Sequence, residues 1–304
     1  MFSPAKEKTF RCNLPGKFKK QFELKKDKQR VLDIVTVGDY VEFNLNDVNT
    51  GTIFSVKPRT NYISRKAPRI KGASTRGERL EQIICANVEN LVVVASITLP
   101  QFNNRQLDRF IVCGETAGVN TIIVMNKSDL DKNREILYWE KLYKSIGYEV
   151  ITTSTVSGYG IDKLKMHIFG KKSLFWGVSG VGKSSLLNSM YPELDFKTKE
   201  ISNWSSKGKH TTVTSFMEKV GGNTFIIDSP GVREIEPFGI RKHDLSHYFV
   251  EFKDYLNECK FNTCTHYHEP GCAVVEAVEN DLISVERYES YLNLIDTIEE
   301  DIIF

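Results

Sequence analysis

The stretch Gly177-Val178-Ser179-Gly180-Val181-Gly182-Lys183-Ser184 matches G-x-x-x-x-G-K-[ST], and its setting restricts the fold more than any other feature. The apolar run Ser173-Leu174-Phe175-Trp176 precedes it, and a helical pattern opening Ser185-Leu186-Leu187-Asn188 follows. Strand, glycine-rich turn and helix in that order form a phosphate-binding loop. The glycines let backbone N–H groups turn around phosphate oxygens, and the helix adds its N-terminal partial charge. Lys183 is expected at the β- and γ-phosphates and Ser184 on Mg²⁺.

The rest of the middle chain agrees with an α/β fold. Apolar strands are predicted at Asn90–Ser96, Thr121–Met125, Glu149–Thr153, Ser173–Trp176 and Thr224–Ile227. Helices are predicted near Asn104–Ala117, Arg134–Ile146, after Gly160 and from Gly182. Continuous rather than alternating apolar strands suit a parallel sheet covered on both faces. The expected architecture is a doubly wound sheet with ligands at the carboxyl ends of its strands.

Three further segments end such strands. Asn126-Lys127-Ser128-Asp129 follows Thr121–Met125 directly. The Asp129 carboxylate can accept from guanine N1–H and the exocyclic amine, a donor pair adenine lacks, and an unpaired buried acceptor is costly. Lys127 can lay its stem along the base plane, and Asn126 can tie the loop to its neighbours. Ser154-Thr155-Val156-Ser157-Gly158-Tyr159-Gly160 ends the next strand and can meet the base from the other side. Asp228-Ser229-Pro230-Gly231 lies 44 residues after Ser184. A carboxylate there can hold Mg²⁺ through its water, and the Gly231 N–H can sense the γ-phosphate.

The base-reading segment thus precedes the phosphate loop, a circular permutation of the usual guanine-nucleotide order. The same strands still meet at one crevice, while the stretch after Gly231 is brought beside a downstream domain. Between the phosphate loop and Asp228 lies Lys207-Gly208-Lys209-His210-Thr211-Thr212, where a first switch belongs. Thr211 or Thr212 would complete the Mg²⁺ shell. Val232 stands where a water-orienting glutamine is common. Valine cannot polarise water, so His210 is the candidate to orient or deprotonate it; a loop residue or RNA contact is the alternative reading.

A second chemistry appears near the end: Cys259-x₄-Cys264-x-His266-x₅-Cys272. Three thiolates and an imidazole suit a closed structural Zn²⁺ site, with His268 a rival ligand by spacing alone. Cys85 and Cys113 sit in apolar runs and read as small buried hydrophobes. No apolar stretch is long enough for a membrane helix, and the N-terminus has no secretory pattern. A cytoplasmic, membrane-free monomer is expected.

The 304 residues suit two or three domains. Residues 1–72 hold 16 Lys/Arg against 7 Asp/Glu, so within a net charge of +2 the remainder is net acidic. That basic block holds short β-branched runs, Arg30–Val37, Tyr40–Phe43 and Thr52–Val56, separated by turn residues. They suggest an oligonucleotide-binding-type barrel with a polyanionic partner. The expected boundaries are a barrel over 1–68, a basic linker over 69–88, a permuted nucleotide domain over 89–238 and a helical zinc domain over 239–304. An amphipathic acidic helix is expected within Ile283–Phe304.

Taken together, Asn126–Asp129, Gly177–Ser185, Gly208–Thr212, Asp228–Gly231 and the Cys259, Cys264, His266, Cys272 set resemble the ribosome small-subunit-dependent GTPases over essentially the whole chain. The segment Cys264-Thr265-His266 with Glu269-Pro270-Gly271-Cys272 looks like that family's zinc region and favours His266. The resemblance implies GTP and GDP with Mg²⁺, one structural Zn²⁺, rRNA binding, and hydrolysis stimulated by the small ribosomal subunit late in its maturation. It also implies a catalytic role for His210 and nucleotide contacts at Asn126, Lys127, Ser128, Asp129, Ser154, Gly177 to Ser185, Thr211, Thr212, Asp228 and Gly231. Lys209 departs from the family's arginine and keeps the charge without the bidentate fork. Thr155 replaces a small residue, and the basic stretch between Pro68 and Gln82 is longer than usual. Competing readings are a permuted GTPase with another target, such as the large subunit, and a nucleotide-gated RNA-binding module.

Overall fold

A computed structural model of the chain describes residues 1–3, 6–16, 34–67, 81–194, 215–229 and 235–298. It divides into two compact units, Met1–Asn87 and Val88–Phe304.

The first unit is built from short strands: β1 (Phe2–Ser3), β2 (Lys8–Thr9), β3 (Arg11–Asn13), β4 (Val41–Leu45), β5 (Thr50–Val56), β6 (Tyr62–Lys66) and β7 (Glu81–Ala86). Among the described residues they pair as β1–β2, β3–β5–β4 and β6–β7. Asp47 shapes the β4–β5 turn by accepting from the N–H groups of Asn49 and Thr50, at 2.8 and 2.7 Å. Two expectations need correction. Residues 30–33 of the expected strand Arg30–Val37 lie outside the described residues, and Ile34–Val37 form a bend and turn rather than a strand. The Asp39 carboxylate takes the Thr36 N–H there, at 2.8 Å, and turns the chain. The expected basic linker ends in β7, which is buried throughout because it pairs antiparallel with β6.

The second unit carries β8 (Asn90–Ser96), α1 (Asn104–Ala117), β9 (Asn120–Asn126), α2 (Glu135–Ser145), β10 (Glu149–Thr152), α3 (Ile161–Ile168), β11 (Lys172–Trp176), α4 (Lys183–Met190), β12 (Phe216–Gly221) and β13 (Thr224–Asp228). The sheet order is β10-β9-β8-β11-β13-β12, parallel except for the edge strand β12. Helix limits follow local chemistry. The Asn103 side chain accepts from Gln106 N–H to start α1, and Gly118, left-handed at φ 63°, ends it.

Successive strand residues face opposite helix layers. Phe175 packs with Val92, Val124, Leu164, Leu186 and Leu187 on one face. Trp176 meets Phe110 of α1 edge-on at 5.1 Å on the other. Each fully buried apolar side chain of this kind contributes roughly 1.5–3 kcal/mol against exposure.

The C-terminal part continues as short 3₁₀ turns at Leu245–Tyr248, Val250–Phe252 and Leu256–Glu258, then α5 (Ala273–Glu279) and α6 (Val285–Thr297). Its core of Leu245, Phe249, Phe252, Cys264, Cys272, Tyr291 and Leu294 includes Val112 of α1. This part and the nucleotide sheet therefore share packing through α1. No helix among the described residues is long and apolar enough to cross a membrane.

Candidate nucleotide and metal sites

The parallel strands deliver four segments to one edge of the sheet. β11 runs into Gly177–Ser184, and β13, beside it, ends at Asp228, which pairs in register with Phe175. On the other side β8 intervenes before β9, which ends at Asn126, and β10, which leads to Thr153 and Ser154. Asp228 is fully buried at its strand end, and Lys183 is buried at the start of α4.

Glycine is required at two positions of the phosphate loop. A Cβ on Gly177 would stand 2.3 Å from the Val94 carbonyl oxygen. One on Gly182, already at φ +94°, would stand 2.6 Å from Asn126 Nδ2. That closeness is used: the Asn126 amide donates to the Val181 carbonyl at 2.9 Å, joining the base-reading segment to the phosphate loop. Thr153 Oγ1 donates to Asn126 Oδ1 at 3.0 Å and sets the amide's orientation.

Lys127 sits in the left-handed region at φ 61°. Its ammonium donates to the carbonyls of Gly180, at 2.6 Å, and Leu99. The Ser154 hydroxyl donates to Asp129 Oδ1 at 2.5 Å while accepting from Val156 and Ser157 N–H, at 3.2 and 3.3 Å. Asp129 is exposed and thus open to a ligand, with its orientation set by Ser154. Ser128 N–H donates to the Thr153 carbonyl, so the two base loops are joined by backbone as well. His210, Thr211, Thr212 and Gly231 lie outside the described residues.

Thr153 and the Leu99 carbonyl belong to this site although sequence reading did not single them out. Thr153 closes an apolar strand beside Ser154, a position that signals it. A backbone carbonyl leaves no side-chain signature.

At the second site, the ligating atoms of Cys259, Cys264, His266 and Cys272 all lie within 4.8 Å of one another. His266 Nδ1 is 3.5 Å from Cys259 Sγ and 3.4 Å from Cys272 Sγ, and those two sulfurs are 3.9 Å apart. A tetrahedron with metal–sulfur bonds of about 2.3 Å has edges of about 3.8 Å, so the donor set fits a Zn²⁺ ion. Burial lowers the His266 pKa, which favours the neutral, ligating imidazole. Burial, reinforced by its thiol neighbours, pushes the Cys264 thiol up to about 12, so thiolates here call for a cation. His268 is exposed and outside the cluster.

Glu269 holds the connecting loop. Its carboxylate accepts from Thr265 N–H and Oγ1, at 2.8 and 2.5 Å, and from the N–H groups of Tyr267 and His268, at 3.0 and 3.2 Å. Burial works to raise its pKa, but these bonds outweigh it and hold the carboxyl at about 2.

A family model described as RsgA GTPase matches residues 56–238. The chain belongs to the RsgA GTPase family. As a member it is a GTP hydrolase, and the mixed sheet carries the RsgA nucleotide motifs in permuted order. A relative from Phocaeicola vulgatus, named Small ribosomal subunit biogenesis GTPase RsgA, is 36% identical over 296 residues, covering 96% of this chain and 91% of that protein. Another of the same name, from Flavobacterium psychrophilum, is 37% identical over 291 residues, covering 94% and 85%. Among solved structures, YjeQ from Thermotoga maritima is similar with a TM-score of 0.71 and 33% identity, over 94% of this chain and 88% of that one. YloQ, titled a circularly permuted GTPase, is similar with a TM-score of 0.67 and 26% identity, over 97% and 88%.

Proposed function

We propose that this RsgA-family chain hydrolyses GTP during late maturation of the small ribosomal subunit, binds rRNA, and is stimulated by that subunit. The observation that carries the nucleotide reading is the Asn126–Val181 hydrogen bond. It joins a guanine-reading segment to a phosphate loop 55 residues later in the chain. The curated relatives' names, together with the basic strand-rich first unit, support the ribosomal part.

In this reading Asp129, oriented by Ser154, accepts from the guanine edge, and the Lys127 stem covers one face of the base. The phosphate loop from Gly177 to Ser185 wraps the phosphates with its backbone N–H groups, and Lys183 neutralises them. Mg²⁺, held by Ser184, Asp228 through water, and Thr211 or Thr212, would supply charge neutralisation at the β- and γ-phosphates. Gly231 follows Asp228 and senses the γ-phosphate. With Val232 unable to polarise water, His210 orients the attacking water molecule and serves as the catalytic residue. Cys259, Cys264, His266 and Cys272 hold a structural Zn²⁺ that orders the C-terminal part. The chain acts as a cytoplasmic monomer and without a membrane. The domain limits that go with this reading are a strand-rich unit through Asn87, a permuted nucleotide domain from Val88 to 238 and a zinc-bearing part over 239–304.

The test is GTP hydrolysis at low salt with purified small subunits, with large subunits, and with neither. Stimulation by small subunits alone is expected, with most of it lost in His210→Ala. Equal stimulation by both subunits, or by neither, would overturn the assignment of the target.

A further inference from the structure

The loop between β8 and α1 carries none of the nucleotide motifs, yet it touches two of the segments that do. Its Leu99 carbonyl shares the Lys127 ammonium with the Gly180 carbonyl of the phosphate loop. Pro100 Cδ lies 3.7 Å from where a Gly180 Cβ would stand. Thr98 Oγ1 donates to the Leu130 carbonyl at 3.4 Å, just past the base-reading segment. The loop is internally tied: Ser96 Oγ donates to the Pro100 carbonyl at 3.2 Å, and Phe102 N–H to the Ile97 carbonyl at 2.9 Å.

One side chain outside the loop holds it from behind. The Phe102 ring packs on Trp139 of α2, centroids 4.8 Å apart and tilted by 52°. Trp139 is itself flanked by Tyr138, edge-on at 5.1 Å, and Tyr143, stacked at 6.3 Å. An aromatic pair of this geometry favours one relative placement of its partners.

We propose that Trp139 is a positioning residue for the guanine-nucleotide site, acting through Phe102 and the Leu99 carbonyl on Lys127. The inference rests on the reading of Lys127 as a guanine contact. With the Leu99 carbonyl displaced, the ammonium keeps one of its two backbone acceptors and the stem loses its fixed line across the base. The first consequence is faster nucleotide release. Because the effect passes through the Lys127 ammonium, it vanishes in a chain that lacks that ammonium.

The experiment is stopped-flow release of GDP carrying a fluorescent N-methylanthraniloyl group on its ribose, from the full zinc-loaded chain with Mg²⁺. Trp139→Leu and, as a second disruption of the same pair, Phe102→Leu are expected to release GDP roughly three- to tenfold faster. Trp139→Phe, which keeps an aromatic face, is expected to restore nearly the original rate. In the Lys127→Met background, itself fast, Trp139→Leu is expected to add nothing, because two changes on one path are not additive. Unchanged release in both Trp139→Leu and Phe102→Leu, beside a fast Lys127→Met, would overturn the inference and leave the guanine reading standing. The same multiplication in both backgrounds would also overturn it, since Trp139 would then act through general packing. Release from Lys127→Met at the original rate would remove the reading of Lys127 as a guanine contact, and the inference with it.

Discussion

Arg287 of α6 donates through Nη1 to the carboxylate of Asp108 on α1, and both side chains are 1% exposed. Arg287 Nε and Nη2 reach Glu251 at 2.6 and 3.2 Å, Tyr143 Oη donates to Asp108 at 2.8 Å, and the guanidinium lies 4.6 Å from the Phe249 ring centroid. Desolvation opposes the Arg287 charge, but Asp108 and Glu251 outweigh it and keep the guanidinium protonated. The pair ties the cysteine-bearing part to the helix that follows β8.

Removing the cation from this network leaves two buried carboxylates without a counter-charge. Arg287→Met is expected to destabilise the fold by about 3–5 kcal/mol, measured by urea unfolding of the zinc-loaded chain. A loss under about 1 kcal/mol would mean that the pair behaves like an exposed one.

Metal removal is expected to loosen the C-terminal part while sparing the nucleotide sheet. Tyr288 Oη donates to the His266 carbonyl and Tyr291 Oη to the Thr265 carbonyl, so both tyrosines report on the ligand loop. A chelator, or Cys264→Ser, should cut bound zinc from one equivalent to near none and collapse the tyrosine near-ultraviolet dichroism. Persistence of that signal in a metal-free chain would show that the loop is ordered without its ion.

Glu269 accepts four hydrogen bonds from the loop between Cys264 and Cys272, so it orders the ligands without being one. Glu269→Ala is expected to weaken zinc retention about 10–100-fold in competition with a chromophoric chelator, the range seen when outer-shell partners are lost. Retention equal to that of the unmodified chain would assign Glu269 no part in the site.

A proton-linked effect is expected where α2 meets α6. The hydrogen bond from Tyr138 lowers the Glu286 pKa, aided by Ser284 and opposed by burial. A carboxyl depressed on folding adds stability above its unfolded value, and that contribution is lost as pH falls through the folded one. Tyr138→Phe should therefore raise the Glu286 titration midpoint, read by carboxyl carbon NMR, and flatten the acid side of the stability profile. An unmoved midpoint would contradict the assigned cause.

Much of the nucleotide sheet was legible because its signals are contiguous. An apolar run followed by G-x-x-x-x-G-K-S or N-K-x-D marks both a strand and the loop that ends it. β7 was hidden because it reads as part of the basic stretch that precedes it; the strand is buried beside β6, and Arg65 Nε donates to Gln82 Oε1 at 3.2 Å. β12 escaped notice because its Glu218 and Lys219 break the apolar pattern on an edge strand. The Asp108–Arg287 pair spans 179 residues, and two isolated charges so far apart carry no spacing to read.

The central claim is that Asn126–Asp129 reads guanine although it precedes the phosphate loop in the chain. Xanthine carries a carbonyl where guanine carries the exocyclic amine, so an asparagine at 129 offers a donor where the carboxylate offers an acceptor. The measurement is hydrolysis by Asp129→Asn of GTP against xanthosine triphosphate. A reversal of preference in kcat/KM toward the xanthine nucleotide is predicted. An undiminished preference for GTP would contradict the account.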